Sequence, residues 1–288
     1  MELKEAVLEL LRRASTDLSA DVEQAIHKAW QKEDDSTPAK SVFSTILENV
    51  KMAREQSTPM CQDTGSLVFY IDYPAGGLEK TYIEAIEWAA VEATSRQYLR
   101  PNAVDPVTSK NSGNNLGVNA PYIHFHQWDK EETRIRLLLK GGGSENVGTQ
   151  YKLPHTPLKA GRDLKGVRKV IIDAVKNAQG LGCAPGIIGV GIGGGRDTSL
   201  TLSKEQFFRK MGQRSENKEL AELEESLLKD LNKLQIGPMG FGGKTTVMDV
   251  FIGAQHRHPA TFYVSVSYNC WAFRRKEMII KNGEVYYD

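Results

Sequence analysis

Apolar residues recur at helical spacing from the start of the chain, where Leu3, Val7, Leu8, Leu10 and Leu11 form one stripe. Ser19 is placed to cap a second helix carrying Val22, Ile26 and Trp30. The polar loop 34–38 separates it from a third helix, about Ser41 to Glu55, with Ile46, Leu47 and Val50 inward. A short strand is expected at Leu67 to Ile71 and a long helix at Lys80 to Arg100. Two strands follow, Tyr122 to Gln127 and Arg134 to Leu139, joined by the polar turn 129–132. Helices are expected at Asp163 to Gln179, Ser203 to Met211 and Asn217 to Leu234, and Ile187 to Ile192 has the apolar, glycine-laced pattern of a buried strand. The end is strand-rich: Thr246 to Ile252, Thr261 to Ser267, then a hairpin from Met278 to Tyr287 turning at Asn282-Gly283. Helices and strands interleave with no fixed repeat. The fold class is therefore mixed α/β with a helical N-terminal region, and no linker is long enough to force a domain boundary.

Composition narrows the function classes. The chain has 288 residues, 40% hydrophobic and 25% charged, as an ordinary globular protein does. Its 37 basic and 36 acidic residues give a net charge of +1, which offers no electrostatic case for a nucleic-acid groove or an anionic membrane. No apolar run approaches the roughly 18 to 20 residues of a membrane span. The start, Met1-Glu2-Leu3-Lys4-Glu5, lacks the basic-then-apolar order of a signal peptide, so the cytoplasm is the expected compartment. Three widely dispersed cysteines, Cys61, Cys183 and Cys270, do not form a disulfide framework; on composition alone they read as buried thiols.

Their surroundings change that picture. Glycine and small polar residues cluster in five loops: 60–65, 140–146, 182–186, 191–197 and 237–246. Glycines let backbone amides approach a ligand, and successive amides can bind an anion; any one loop by itself is equally a tight turn. Such loops set repeatedly beside cysteines and acids suggest an anion site near a metal. The segment 237–245 imitates a phosphate-binding loop, but Pro238 stands where the first glycine is needed and a strand, not a helix, is expected next. His124 and His126 share a strand face without an evident third ligand, so they read as polar-face residues.

The loop Cys61-Gln62-Asp63-Thr64-Gly65, the run 140–146, the loop 191–197 and the ending His258-Pro259-Ala260 … Asn269-Cys270-Trp271-Ala272 resemble the N-terminal domain of class I fumarases. They are equally similar to the alpha subunit of tartrate dehydratase. The resemblance spans nearly the whole chain. It implies one catalytic domain over 1–288, with a helical scaffold about 1–58 and a cluster-binding region about 59–288. It further implies that Cys61, Cys183 and Cys270 hold a [4Fe–4S] cluster. Three thiolates would leave one iron open to act as a Lewis acid on a hydroxy acid, whereas four would close the cluster for electron transfer. Asp63 resembles the family's proposed acid, and its pKa is expected to rise beside a cluster and a dianion; a turn aspartate bonding its own backbone is the alternative. Gln62, Arg100, Gly142, Gly143 and His258 resemble substrate contacts, although Arg100 would also suit the end of a helix and His258 an ordinary loop.

Single-chain members of that family continue into a second domain that supplies the base and further basic contacts. The expectation here is a separate beta subunit, in an assembly of two alpha and two beta chains. Reversible hydration of fumarate to malate is the leading reading, with tartrate or a methylated homologue as the alternative substrate. A cluster-free structural subunit is the non-enzymatic alternative. A zinc site is disfavoured because no two cysteines are closely spaced.

Overall fold

The computed structural model describes residues 2–288. In chain order its helices are α1 (Leu3–Thr16), α2 (Ala20–Lys32), α3 (Pro38–Gln56), α4 (Glu79–Ser95), α5 (Gly142–Asn146), α6 (Leu164–Ala178), α7 (Arg196–Glu205) and α8 (Lys218–Asn232). Its strands are β1 (Ser66–Pro74), β2 (Tyr122–Trp128), β3 (Thr133–Lys140), β4 (Thr149–Lys152), β5 (Gly186–Ile192), β6 (Val247–Ala254), β7 (Tyr263–Asn269), β8 (Arg275–Lys281) and β9 (Glu284–Tyr287). The chain forms two compact units. The first comprises Met1–Ala20, Glu48–Gly142 and Ala272–Asp288; the second comprises Asp21–Leu47 and Gly143–Trp271. Among the described residues no helix is long and apolar enough to cross a membrane.

In the first unit a five-stranded sheet runs β2-β1-β3-β8-β9. Alternation along β1 sends Leu67, Phe69, Ile71 and Tyr73 to one face, where Ile135, Leu137, Leu139 and Met278 join them against α1 and α4. The N-terminal stripe behaves as its spacing predicts, with Val7, Leu10 and Leu11 fully buried. The opposite face mixes buried Val68, Tyr70 and Leu138 with charged groups. Asp72 accepts from Arg134 at 2.8 Å and Arg136 at 3.2 Å and lies 3.0 Å from His126 Nδ1, while His124 stacks on Tyr70.

The second unit holds the sheet β4-β7-β5-β6. β5 is buried along its whole length, as its sequence predicts. Ile188, Val190, Val264 and Val266 face α6 and α8, each an amphipathic helix with a side-chain N-cap, Asp163 and Asn217. The other side of β5 meets α7 through glycine: a Cβ on Gly189 or Gly191 would stand 2.2 Å from the carbonyl of Ser203 or 2.1 Å from that of Ser199. The seam is serine-lined, with Ser203 bonded to Ser267 and Ser265 to Ser199.

Several sequence expectations need correction. The long helix ends at Ser95, because Gln97 turns the backbone left-handed (φ 64°); Arg100 therefore lies in a loop. The helix expected at Ser203 to Met211 is instead α7, seven residues earlier. β2 and β3 do not pair with each other; they flank β1, one parallel and one antiparallel. Ser19 precedes α2, but its hydroxyl donates to the Arg275 carbonyl. The short elements α5 and β4 carry too little periodicity to be read from sequence.

Gly191→Ala drives a methyl into the Ser199 carbonyl and is expected to cost at least about 2 kcal/mol, an overpacking penalty. Urea denaturation should show a lower midpoint with unchanged slope; a wild-type midpoint would mean that α7 can withdraw without loss.

Candidate active site

The loop before β1 is built around one glycine and one carboxylate. Gly65 has φ 83°, and a Cβ there would lie 2.8 Å from the Leu139 carbonyl carbon, so only glycine lets the loop reach the sheet. That approach places Asp63 between two strands' ends. Its Oδ1 accepts from Gly65 N at 2.9 Å and its Oδ2 from Gly142 N at 2.7 Å. The first bond is the turn-aspartate arrangement; the second reaches across to the end of β3. A carboxylate has about four lone-pair sites, so each oxygen keeps one for another partner. Asp63 is exposed, as is Gln62, while Cys61 is half-buried.

Thr64 carries the next connection. It is 1% exposed, and its hydroxyl accepts from Arg100 N at 3.0 Å and Asn102 Nδ2 at 3.0 Å. Asn115 Nδ2 donates to the Arg100 carbonyl at 2.9 Å. The Arg100 backbone is thus fixed on both sides beside the Asp63 loop, with its side chain exposed. Sequence reasoning missed Thr64, Asn102 and Asn115; the asparagines at 102, 111, 114 and 115 were the available signal. The amide of Gly142, expected to meet substrate, is committed to Asp63; Gly143 is exposed at the start of the second unit.

The second unit brings Cys183 and Cys270 together. Trp271 N donates to the Cys183 carbonyl at 3.3 Å, and Cys183 itself adopts a left-handed φ of 54°, uncommon for a non-glycine. The glycines flanking it make room for Tyr268: a Cβ on Gly182 or Gly186 would come within 2.6 Å or 2.4 Å of its ring. Burial first, then the nearby thiols of Cys270 and Cys183, push the Tyr268 phenol well above its ordinary pKa. Tyr268 Oη and Asn269 Nδ2 are buried without a hydrogen-bond partner, although Asn269 Oδ1 accepts from Cys270 N. His258 sits in an exposed loop with Nδ1 accepting from Ala260 N at 3.1 Å, leaving Nε2 outward. In the 191–197 loop the amides of Gly193, Gly194 and Gly195 already donate within the chain, so it is a turn into α7 rather than an open nest.

Among the described residues no three side chains of His, Cys, Asp or Glu are grouped to hold a metal ion; Cys61 belongs to the first unit, Cys183 and Cys270 to the second. The chemistry of the cysteines nevertheless fits an iron–sulfur group. Thiolates are the soft ligands that iron takes in such groups, and orphaned buried donors at the two positions before Cys270 are what a sulfur-rich acceptor would satisfy.

Comparison with known proteins gives a consistent picture. The family pattern described as Fumarate hydratase (Fumerase) matches residues 4–279. A protein of Geobacillus stearothermophilus, provisionally named fumarate hydratase class I, is 50% identical over 95% of this chain; the chain spans about half, 54%, of that relative's length. A Methanocaldococcus jannaschii protein, provisionally named L(+)-tartrate dehydratase subunit alpha, is 36% identical, covering 98% of each chain. The L(+)-tartrate dehydratase subunit alpha of Escherichia coli K12 is 32% identical over 97% of this chain and 91% of its own.

Thr64→Val leaves the Arg100 N–H and the Asn102 amide without their acceptor and should cost about 1–3 kcal/mol; Thr64→Ser should restore most of it. Urea midpoints together with hydrogen exchange at the Arg100 amide check this. Unchanged protection of that amide in the valine variant would mean that Thr64 is not the anchor.

Proposed function

Because the chain belongs to the fumarate hydratase (Fumerase) family, we propose that it is the alpha subunit of a two-subunit hydro-lyase that reversibly hydrates fumarate to malate. The observation that carries the subunit reading is its near full-length match to proteins named subunit alpha. The higher identity to the Geobacillus protein favours fumarate. The tartrate dehydratase relatives keep L(+)-tartrate as the second substrate to test, since a single added hydroxyl is read by few side chains.

We assign Cys61, Cys183 and Cys270 as the protein ligands of a [4Fe–4S] cluster, with residues 1–58 as scaffold. When bound, such a group supplies a Lewis acid that polarises the substrate hydroxyl. The chain's own residues then divide the remaining work. Arg100, whose backbone is held by Thr64 and Asn115, and Gln62 take the substrate carboxylates, with Gly143 and His258 as further contacts. Asp63 is the acid: its carboxyl, oriented by two amides, gives a proton to the departing hydroxyl oxygen, which leaves as water. The proton on the neighbouring carbon goes to a base on the partner beta subunit, in an assembly of two alpha and two beta chains. Dispersed thiols of this kind suit a reducing compartment, and the cytoplasm is the proposed location.

Anaerobic reconstitution should load iron and sulfide in matching amounts, and Cys61→Ser, Cys183→Ser or Cys270→Ser should each abolish stable loading. Full loading in all three variants would end the cluster assignment. With the beta subunit present, Asp63→Asn should keep its iron but lose roughly 10²- to 10⁴-fold in turnover. Wild-type turnover would return Asp63 to a turn residue. The loaded alpha chain alone should turn over neither fumarate nor L(+)-tartrate, and co-expressed beta subunit should restore one of them. Robust turnover by the alpha chain alone would show that the base lies within it.

A further inference from the structure

Several deeply buried charges in this chain are matched by an opposite charge. Fully buried Glu224 faces Arg209 at 2.6 Å, Asp249 faces Arg214 at 2.8 Å, and Asp72 faces Arg134 and Arg136. Arg274 is different. It heads the fully buried side chains by size and is 1% exposed. Its Nη1 donates to the main-chain carbonyl of Asp63 at 2.6 Å, and its Nε has no partner. A carbonyl satisfies one N–H but does not neutralise a charge, and a guanidinium stays protonated in proteins. The acid of that loop, Asp63, makes no ion pair with it; its carboxylate oxygens bond the amides of Gly65 and Gly142. The Asp63 carbonyl therefore rests on a guanidinium that is sealed from water. A desolvated charge without an opposite charge is costly, so this one calls for an anion that the polypeptide does not set against it.

We propose that Arg274 is the counter-charge for the anionic iron–sulfur group assigned to Cys61, fixed beneath the loop by its bond to the Asp63 carbonyl. The inference rests on the cluster reading above. Three thiolates and their sulfides carry net negative charge, which grows on one-electron reduction. A fixed cation under the Cys61 loop favours retention of such a group and favours its reduced form. It is a positioning residue: it holds the main chain of the acid loop and touches no substrate.

The test separates charge from hydrogen bonding. Arg274→Gln keeps a donor for the Asp63 carbonyl and removes the charge; Arg274→Lys keeps the charge. Wild-type and variant proteins are reconstituted anaerobically with iron and sulfide, reduced stepwise with dithionite under electron paramagnetic resonance, and separately challenged with an iron chelator. The glutamine variant should show a more negative reduction potential and roughly tenfold faster iron loss, the low end of the effect of groups behind a metal's direct ligands. The lysine variant should stay close to wild type in both. Without iron, the glutamine variant should melt no lower than wild type, because the unmatched charge is gone. A glutamine variant identical to wild type in potential and iron retention would overturn the proposal. So would one that melts lower without iron, since the charge would then be serving the apo fold. Wild-type protein that takes up no iron and sulfide would instead sink the cluster assignment, and this inference with it.

Discussion

Both oxygens of the Asp63 carboxylate accept backbone N–H groups, and these two bonds join the entry of β1 to the exit of β3. Because β1 and β3 pair antiparallel with Ser66 opposite Lys140, the loop preceding β1 must run directly over the end of β3. That crowding admits no side chain at position 65. It also buries Thr64, whose hydroxyl is then available to no one but the Arg100 and Asn102 segment. Acid and cation are thus positioned by sheet register rather than by contact with each other. Moving either would require breaking the central pairing of the unit, which a five-stranded sheet with a covered face resists.

Elements with strong local period were legible in the sequence. The α1 stripe, the buried β5 and the Asn282-Gly283 hairpin fall where the pattern predicts, the last because both turn residues take positive φ. α7 was misplaced for a physical reason. It packs on glycines through Ser199 and Ser203, so its buried face is made of serine and its apolar signal is weak. The overrun of α4 had the opposite cause: Tyr98 and Leu99 continue the apolar pattern past a left-handed Gln97. Pairing of β2 with β1 across the whole of α4 is a non-local choice that no window of sequence contains.

The candidate site was legible as chemistry and not as architecture. Asp63 and the cysteines stand out by residue type and glycine-rich surroundings, but the groups that hold them do not. Asn115 acts at a left-handed position on a segment folded back from far along the chain, and Tyr268 reads as one more apolar strand residue until Gly182 and Gly186 are seen to make room for its ring. The loop at 191–197, so suggestive as an amide nest, donates its glycine amides to the carbonyls of Tyr263 and His256 and to the Thr198 hydroxyl. Glycine content alone cannot distinguish a loop that approaches a ligand from one that approaches its own backbone.

Buried side-chain atoms without a partner occur in several places, His155 Nδ1 and Gln255 Nε2 among them. Native interiors pair nearly all such groups, and exceptions concentrate where a ligand completes the set. Here Tyr268 Oη, Asn269 Nδ2 and Arg274 Nε lie within four residues of Cys270 along the chain. Each can donate, two of them neutral and one charged. A fold selected for stability alone would replace them with apolar groups of similar shape at little cost. Tyr268 and Asn269 are consecutive in β7 and so face opposite sides of the sheet; the tyrosine's hydroxyl is carried inward by the packing of its ring against Gly182 and Gly186, so apolar burial alone accounts for one of these orphans.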